Sequence, residues 1–572
     1  MTNNYFTDNS DLQFHLQKET LQEIAALRED HYQQAKKFPG APRDFAEALS
    51  VYQRKLSELG AFCAEEIAPR ATQVDRDGAV FADGQVTYAP GTIENLRWLA
   101  KEGLMGVTLP REVGGLNMPS TIYTMMTEIV SRADASLQNL FGLQSIAETI
   151  NRFGDQQQRE HFLPAIASGK ADGAMVLTEP EAGSDLQSVQ TTATFDSTSG
   201  KWFVDGHKHF ITNGCASVLL VLARSEPDTI DGRGLSLFLV EKCPEVVIKS
   251  IEDKLGLRGS PTCELIFNHA PALLIGQRRR GLTRYVMSLM NGARLAIAAQ
   301  AVGLAEAAFR TALEYTSERQ QFGKPLRQIG AVSEMLTRMK VDLLAGRTLL
   351  YETCKYVDLR DCYEHLNSQG DASPENREKE KSLGKIAAVL TPMTKAFNTE
   401  MCNQACYDCI QCHGGKGYMR TKLPERYYRD ARITNIYEGT TQLQIVAAIG
   451  GVMQRTLDPL LDELAALAYS GRLAELASEV GQARKLADDA VAFVEQKADS
   501  AYLDLMARRL VRMQTLVLIS YLLLRDAKNA PERICICERF IGEYLPEITR
   551  QHQTVMAGDR GCIAQAGEIL EL

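Results

Sequence analysis

Near Ala174 the hydrophobic pattern changes period, and that change restricts the possible folds more than any other feature of the chain. Before it, residues 45–67 place Ala46, Leu49, Leu56, Leu59 and Phe62 at helical spacing, and residues 92–104 and 121–153 follow the same rule. After it come short strand-like runs at 192–195, 202–204, 209–212, 218–223 and 235–240, divided by Gly, Asp and Asn, with Asp205-Gly206 as a hairpin signal. Helical periodicity returns over 291–319 and 329–362, yields to a polar stretch at 366–380 that reads as a solvated loop, and resumes at Lys381. The pattern predicts a mostly α protein with a small β domain inserted in it. A chain of 572 residues needs more than one core. The expected division is an amino-terminal arm at 1–44, a helical domain at 45–173, a middle β domain at 174–275, a helical bundle at 276–450 and a carboxy-terminal extension at 451–572. Helical blocks near 457–468, 474–497, 503–524 and 534–555 make that extension a four-helix appendix.

Charge bears on the partners. The formal net charge of −9 argues against nucleic acid, and the extension, with 14 basic and 18 acidic residues, is not a basic arm. The first 23 residues have neither the basic start nor the apolar run of a secretory signal, and the longest apolar run, 516–524, is too short to span a bilayer. A cytoplasmic protein without a transmembrane segment is expected. Its 13 cysteines are then expected to be reduced. Cys402, Cys406, Cys409 and Cys412, followed by His413, have a spacing used in iron–sulfur ligation, but offsets of four and seven also put the first three on one helix face. Buried core is the favoured reading there, and no metal site is expected. His207 and His209 point the same way from one strand but lack a third ligand nearby.

Chemistry concentrates in the run Arg429-Asp430-Ala431-Arg432-Ile433-Thr434-Asn435-Ile436-Tyr437-Glu438-Gly439-Thr440-Thr441-Gln442. Glu438 before Gly439 marks a bend with an unusual backbone, and Thr440 is placed to cap the helix that follows. A carboxylate among apolar neighbours can serve as a base, though a turn glutamate ahead of a helix would look the same. Four more blocks occur in order: Leu177-Thr178-Glu179-Pro180-Glu181-Ala182-Gly183-Ser184-Asp185, Phe210-Ile211-Thr212-Asn213-Gly214, Glu318-Arg319-Gln320-Gln321-Phe322-Gly323 and Gln411-Cys412-His413-Gly414-Gly415-Lys416-Gly417-Tyr418. Together these five blocks resemble the acyl-CoA dehydrogenase family over roughly 400 residues, from the forties to near Gly450.

The resemblance implies a helical domain, a β domain and a four-helix domain, FAD as cofactor, and a homodimer or homotetramer. It also implies an FAD-dependent dehydrogenase of fatty acid β-oxidation that takes an acyl-CoA to its trans-2-enoyl-CoA and passes electrons to an electron-transfer flavoprotein. Glu438 would take the α-proton while the β-hydrogen leaves as hydride to the flavin. Some members carry the base on a helix, at the position before Arg294; Ala293 stands there in this chain. Asn291, Arg294, Ser184, Tyr437 and Gly439 would contact substrate. Leu177, Thr178, Gly183, Ser184, Phe210 and Thr212 would hold the flavin, with Phe210 in place of a tryptophan common at the position that shields the ring. Arg319, Gln321, Phe322, Gln411, Gly415, Thr440 and Gln442 would serve the flavin nucleotide across a subunit boundary. An acyl-CoA oxidase shares nearly all these residues. A flavin-bearing DNA-binding protein of the alkylation-response type shares the frame but calls for a basic extension.

Overall fold

A computed structural model describes residues 3–17, 19–370 and 372–571. They form two compact units: residues up to Arg319 together with Cys402–Glu438, and Gln320–Met401 together with Gly439 onward.

In the first unit helix begins well before residue 45. Ser10–Leu16 and Thr20–Arg28 are helices, so the polar arm expected from composition is folded; Leu12, Leu16 and Ile24 are buried. Ion pairs fasten it, among them Asp8 to Arg132 at 2.6 Å, Asp8 to Arg310 at 3.3 Å and Glu29 to Arg111 at 2.7 Å. The stretch 121–153 is broken into Ser120–Ala133, Ala135–Phe141 and Gln144–Phe153. The first break lies at Asp134, whose extended backbone frees its carboxylate to cap the N–H groups of Ser136 and Leu137. Phe45–Phe62, Ala68–Asp77, Pro90–Lys101 and Gln156–Ala167 also belong to this helical layer.

The sheet of this unit has seven strands: β1 (Gly173–Val176), β2 (Thr192–Asp196), β3 (Lys201–Thr212), β4 (Val218–Arg224), β5 (Leu235–Glu241), β6 (Val246–Ile251) and β7 (Thr262–Leu274). The spatial order is β1-β4-β2-β3-β7-β5, with β6 on β7 and a further β4–β5 pairing that closes the circuit. β4 is buried along its whole length, which is why it reads as a continuous apolar run instead of an alternating one. Asp205-Gly206 is not a hairpin turn. It lies inside β3 at a shift in register against β7, where a Cβ on Gly206 would collide with Thr191; the β2–β3 turn lies at residues 197–200. A long helix, Met287–Glu318, follows the sheet and starts four residues before the expected Asn291.

The second unit is helical apart from the ribbon Gln320–Gln321 with Lys324–Pro325. Gly330–Ser368 runs six residues past the expected end, and the next helix begins at Pro374, so the polar stretch 366–380 is mostly helix with a short link. Its polar residues are the solvated faces of two helix ends; Asp371 falls outside the described residues. The extension contributes Asp458–Ala465, Arg472–Lys497, Ser500–Asn529 and Ile534–Met556, the four helices expected. It is fastened by buried polar bonds: Arg525 pairs with Glu352 at 2.8 Å, Thr348 donates to Asp526 at 3.0 Å and Tyr544 donates to Asp342 at 2.8 Å. Among the described residues no helix is long and apolar enough to cross a membrane.

Candidate active site

Glu438 occupies a left-handed backbone conformation at φ 53°, followed by Gly439 at φ 85°. Two consecutive positive φ values make the bend expected from Glu-Gly, and only the second residue adopts it without strain. In the first unit the residue before the bend is anchored. The Tyr437 hydroxyl donates to the side-chain oxygen of Gln300 and to that of Asn139, the latter at 3.2 Å. Burial, then the neighbouring Glu438 charge, hold that hydroxyl well above its ordinary range. In the second unit Lys395 and Gln444 donate to the Gly439 carbonyl at 2.6 and 2.8 Å, and Thr440 caps Thr441–Met453 by accepting from the N–H of Leu443.

The surroundings of Glu438 are not wholly apolar. Arg294, 8% exposed on Met287–Glu318, has its pKa lowered by burial and held up by the charge of Glu438. Its Nη1 donates to Asn291 at 3.1 Å, while its Nε has no hydrogen-bond partner among the described residues. Ala293, the preceding residue, offers no proton acceptor. Glu438, Tyr437, Arg294 and Asn291 are thus brought into one neighbourhood.

The first flavin-assigned group gathers on the sheet. The Thr178 carbonyl accepts from the N–H of His209 at 2.9 Å, which sets Leu177 and Thr178 beside Phe210. Phe210 sits at φ 57° with its ring 58% exposed and stacked 4.0 Å from that of His209. Gly183 and Ser184 are exposed, and Thr212 ends β3. Arg319, Gln411 and Gly415 gather elsewhere in this unit, around a stack of Tyr315 on His413 at 4.2 Å. Arg319 and Gln411 are exposed there, and a side chain at Gly415 would meet nothing. In the second unit Gln321 and Phe322 lie at the ribbon tip, Phe322 at φ 53° and 92% exposed, and Gln442 is exposed on the first turn of Thr441–Met453.

The other clusters have structural partners. Cys402, Cys406 and Cys409 are buried on one helix face, and burial pushes Cys406 well up. His207 and His209 pair with Glu264 and Glu252 at 2.7 and 2.8 Å. Sequence reasoning missed Lys208, which lies between those histidines. Strand alternation turns it to the opposite face, and a charged residue at an inward position is the signal that could have found it.

Known proteins match this arrangement. Residues 53–170, 174–270 and 295–442 match the acyl-CoA dehydrogenase N-terminal, middle and C-terminal domains, and residues 456–539 match a further domain, acyl-CoA dehydrogenase C terminal. An acyl-CoA dehydrogenase of Bacillus subtilis is 34% identical over 69% of this chain and 95% of its own. The 3-methylmercaptopropionyl-CoA dehydrogenase of Ruegeria pomeroyi is 34% identical over 71% of this chain and 72% of its own. In fold, an acyl-CoA dehydrogenase complexed with FAD from Bacillus anthracis superposes with a TM-score of 0.76 at 23% identity, covering 89% of this chain and 88% of its own. The chain belongs to the acyl-CoA dehydrogenase family, whose members are FAD-dependent oxidoreductases.

Proposed function

We propose that the chain dehydrogenates an acyl-CoA thioester between Cα and Cβ to the trans-2-enoyl-CoA, with an electron-transfer flavoprotein as acceptor and Glu438 as the base. The observation that carries the reading is Glu438 itself, a carboxylate held at φ 53° opposite the buried Arg294. With Ala293 on the helix, the bend supplies the proton acceptor at this site.

The residues fit a flavin nucleotide. An exposed aromatic ring at Phe210 offers a face for a planar ring, Gly183 and Ser184 leave a backbone crest open, and the exposed cation of Arg319 suits a phosphate. Leu177, Thr178, Gly183, Ser184, Phe210 and Thr212 would hold the ring and ribityl end. Arg319, Gln321, Phe322, Gln411, Gly415, Thr440 and Gln442 would serve the nucleotide of a second copy, so that a homodimer is the smallest complete form. FAD, when bound, supplies the two-electron acceptor.

The chain's own groups do the rest. The Glu438 carboxylate takes the α-proton, and its backbone N–H donates to the thioester oxygen, favouring the charge that develops as the proton leaves. Arg294, whose charge interacts with that of Glu438, orients the carboxylate. Asn291, Ser184, Tyr437 and Gly439 line the acyl-CoA path.

Glu438→Gln tests the assignment, because it keeps size and backbone N–H while removing the proton acceptor. Flavin reduction by acyl-CoA, followed anaerobically by stopped flow, is expected to slow by at least ~10²-fold with FAD content and acyl-CoA binding retained. Reduction at close to the wild-type rate would place the base elsewhere.

A further inference from the structure

Glu179 and Lys208 take no part in the reading above, yet they form an ion pair inside the sheet. Lys208 is fully buried, Glu179 is 6% exposed, and Nζ lies 2.9 Å from Oε1. The same ammonium donates to the Leu177 carbonyl at 2.9 Å. Glu179 in turn accepts from two backbone N–H groups, those of Gln190 at 2.7 Å and Thr191 at 2.9 Å. Its own backbone is bridged to Ala182, with N–H to carbonyl distances of 2.9 and 3.2 Å. Both ends of the loop 177–191 are therefore tied to one ion pair, while Gly183 and Ser184 at its crest remain exposed.

Stability alone does not account for a pair in this place. Burying two charges costs much of what their attraction returns, and apolar residues of similar volume often pack as well or better. What an apolar pair lacks is a donor for the Leu177 carbonyl and an acceptor for the N–H groups of Gln190 and Thr191. Those are the groups that fix the course of the loop.

We propose that Lys208, acting with Glu179, is a positioning residue for the flavin: it sets the backbone of Leu177 and Thr178 in the form that receives the ring before the cofactor arrives. The inference rests on the reading of this loop as the flavin site. An ordered loop loses less conformational freedom on binding, so the device acts on cofactor affinity.

The test compares the FAD-loaded wild type with Lys208→Met, Glu179→Gln and the double variant. FAD release is followed by the fluorescence of the free cofactor, the thermal midpoint is recorded alongside, and hydrogen exchange is measured over 177–191. Lys208→Met leaves a carboxylate buried without its cation, so it loses both stability and cofactor. The double variant removes that charge: its midpoint is expected to return close to wild type while FAD release stays at least ~10-fold faster and the loop exchanges faster. Glu179→Gln leaves the Lys208 ammonium buried without its anion and is expected, like Lys208→Met, to lose both stability and cofactor. Wild-type FAD release from the variants that fold, or release that rises only in step with lost stability, overturns the proposal. A wild-type chain that takes up no FAD at all would instead remove the reading beneath it.

Discussion

An L-residue held in the left-handed region carries roughly 1–3 kcal/mol of strain, and Glu438 is held there by its neighbours: Tyr437 anchored on one side, the Gly439 carbonyl fixed on the other. A turn without a task would more simply place glycine at both positions. The base assignment leads to a control for the Glu438→Gln variant. Ala293→Glu in that background should recover part of the flavin reduction rate, measured by stopped flow, if helix and bend address the same proton; no recovery beyond the single variant would count against a shared site. A second prediction concerns Asp430, buried seven residues after the start of the helix Leu423–Arg432. Burial pushes its carboxyl up to about 7, against the pull of Arg426, and its Oδ1 accepts from the N–H of Leu257 at 2.7 Å. The unfolded group titrates near 3.8. Between those values the folded chain keeps a proton that the unfolded chain has lost, so the stabilising contribution present below the lower value is lost as pH rises through the upper one. Asp430→Asn cannot titrate, so its thermal midpoint should gain on the wild type from pH 4 to 7 and hold a steady lead above; an offset independent of pH would contradict this. At this scale the sequence showed the bend, because Glu-Gly and a capping Thr are local signals. It hid Lys208 as the partner of Glu179, since that pairing joins residues 29 positions apart in the chain.

Elements were legible where the period was local and long. The four helices of the extension fall where apolar spacing put them, and the helix–strand–helix succession follows directly from the change of period near Ala174. The errors have physical causes. Residues 366–380 are polar because two helix ends face solvent, and Asp205-Gly206 lies at a strand irregularity, where Thr191 leaves no room for a Cβ, instead of at a turn. The helices Ser10–Leu16 and Thr20–Arg28 escaped notice because short helices with few apolar residues owe their stability to packing against the rest of the unit. One prediction belongs here. Glu352, 2% exposed, relies on Arg525 at 2.8 Å, with Lys355 farther off at 3.4 Å. Arg525→Met removes the 2.8 Å pair with the buried Glu352 and should cost ~3 kcal/mol, read as a lower urea midpoint for unfolding of the second unit. A midpoint unchanged from wild type would show that the Arg525–Glu352 pair does not fasten Ser500–Asn529.

For the molecule as a whole, family membership fixes the flavin frame, and the 14 basic and 18 acidic residues of the extension lead to the prediction that it packs as helices and does not bind nucleic acid. Tight, salt-sensitive binding of the FAD-loaded protein to duplex DNA at physiological ionic strength would contradict that role for the extension. The ribbon tip carrying Phe322 and the exposed Arg319 suit a site shared between copies. Arg319→Ala should therefore speed FAD loss without unfolding the sheet, measured by free-FAD fluorescence beside circular dichroism; wild-type retention would remove Arg319 from the proposed cofactor site. The acyl group lies beyond what the motif blocks specify, because its length and branching are read by pocket walls contributed by several helices. The measurement that reaches the central claim most directly is an anaerobic titration of the purified yellow protein with acyl-CoAs of graded length and branching. The account predicts that at least one bleaches the flavin and yields the 2-enoyl-CoA, that electron-transfer flavoprotein restores the colour, and that admitting air in place of that acceptor yields little hydrogen peroxide. Flavin that stays oxidised with every acyl-CoA, or that reoxidises in air with stoichiometric peroxide, would contradict it.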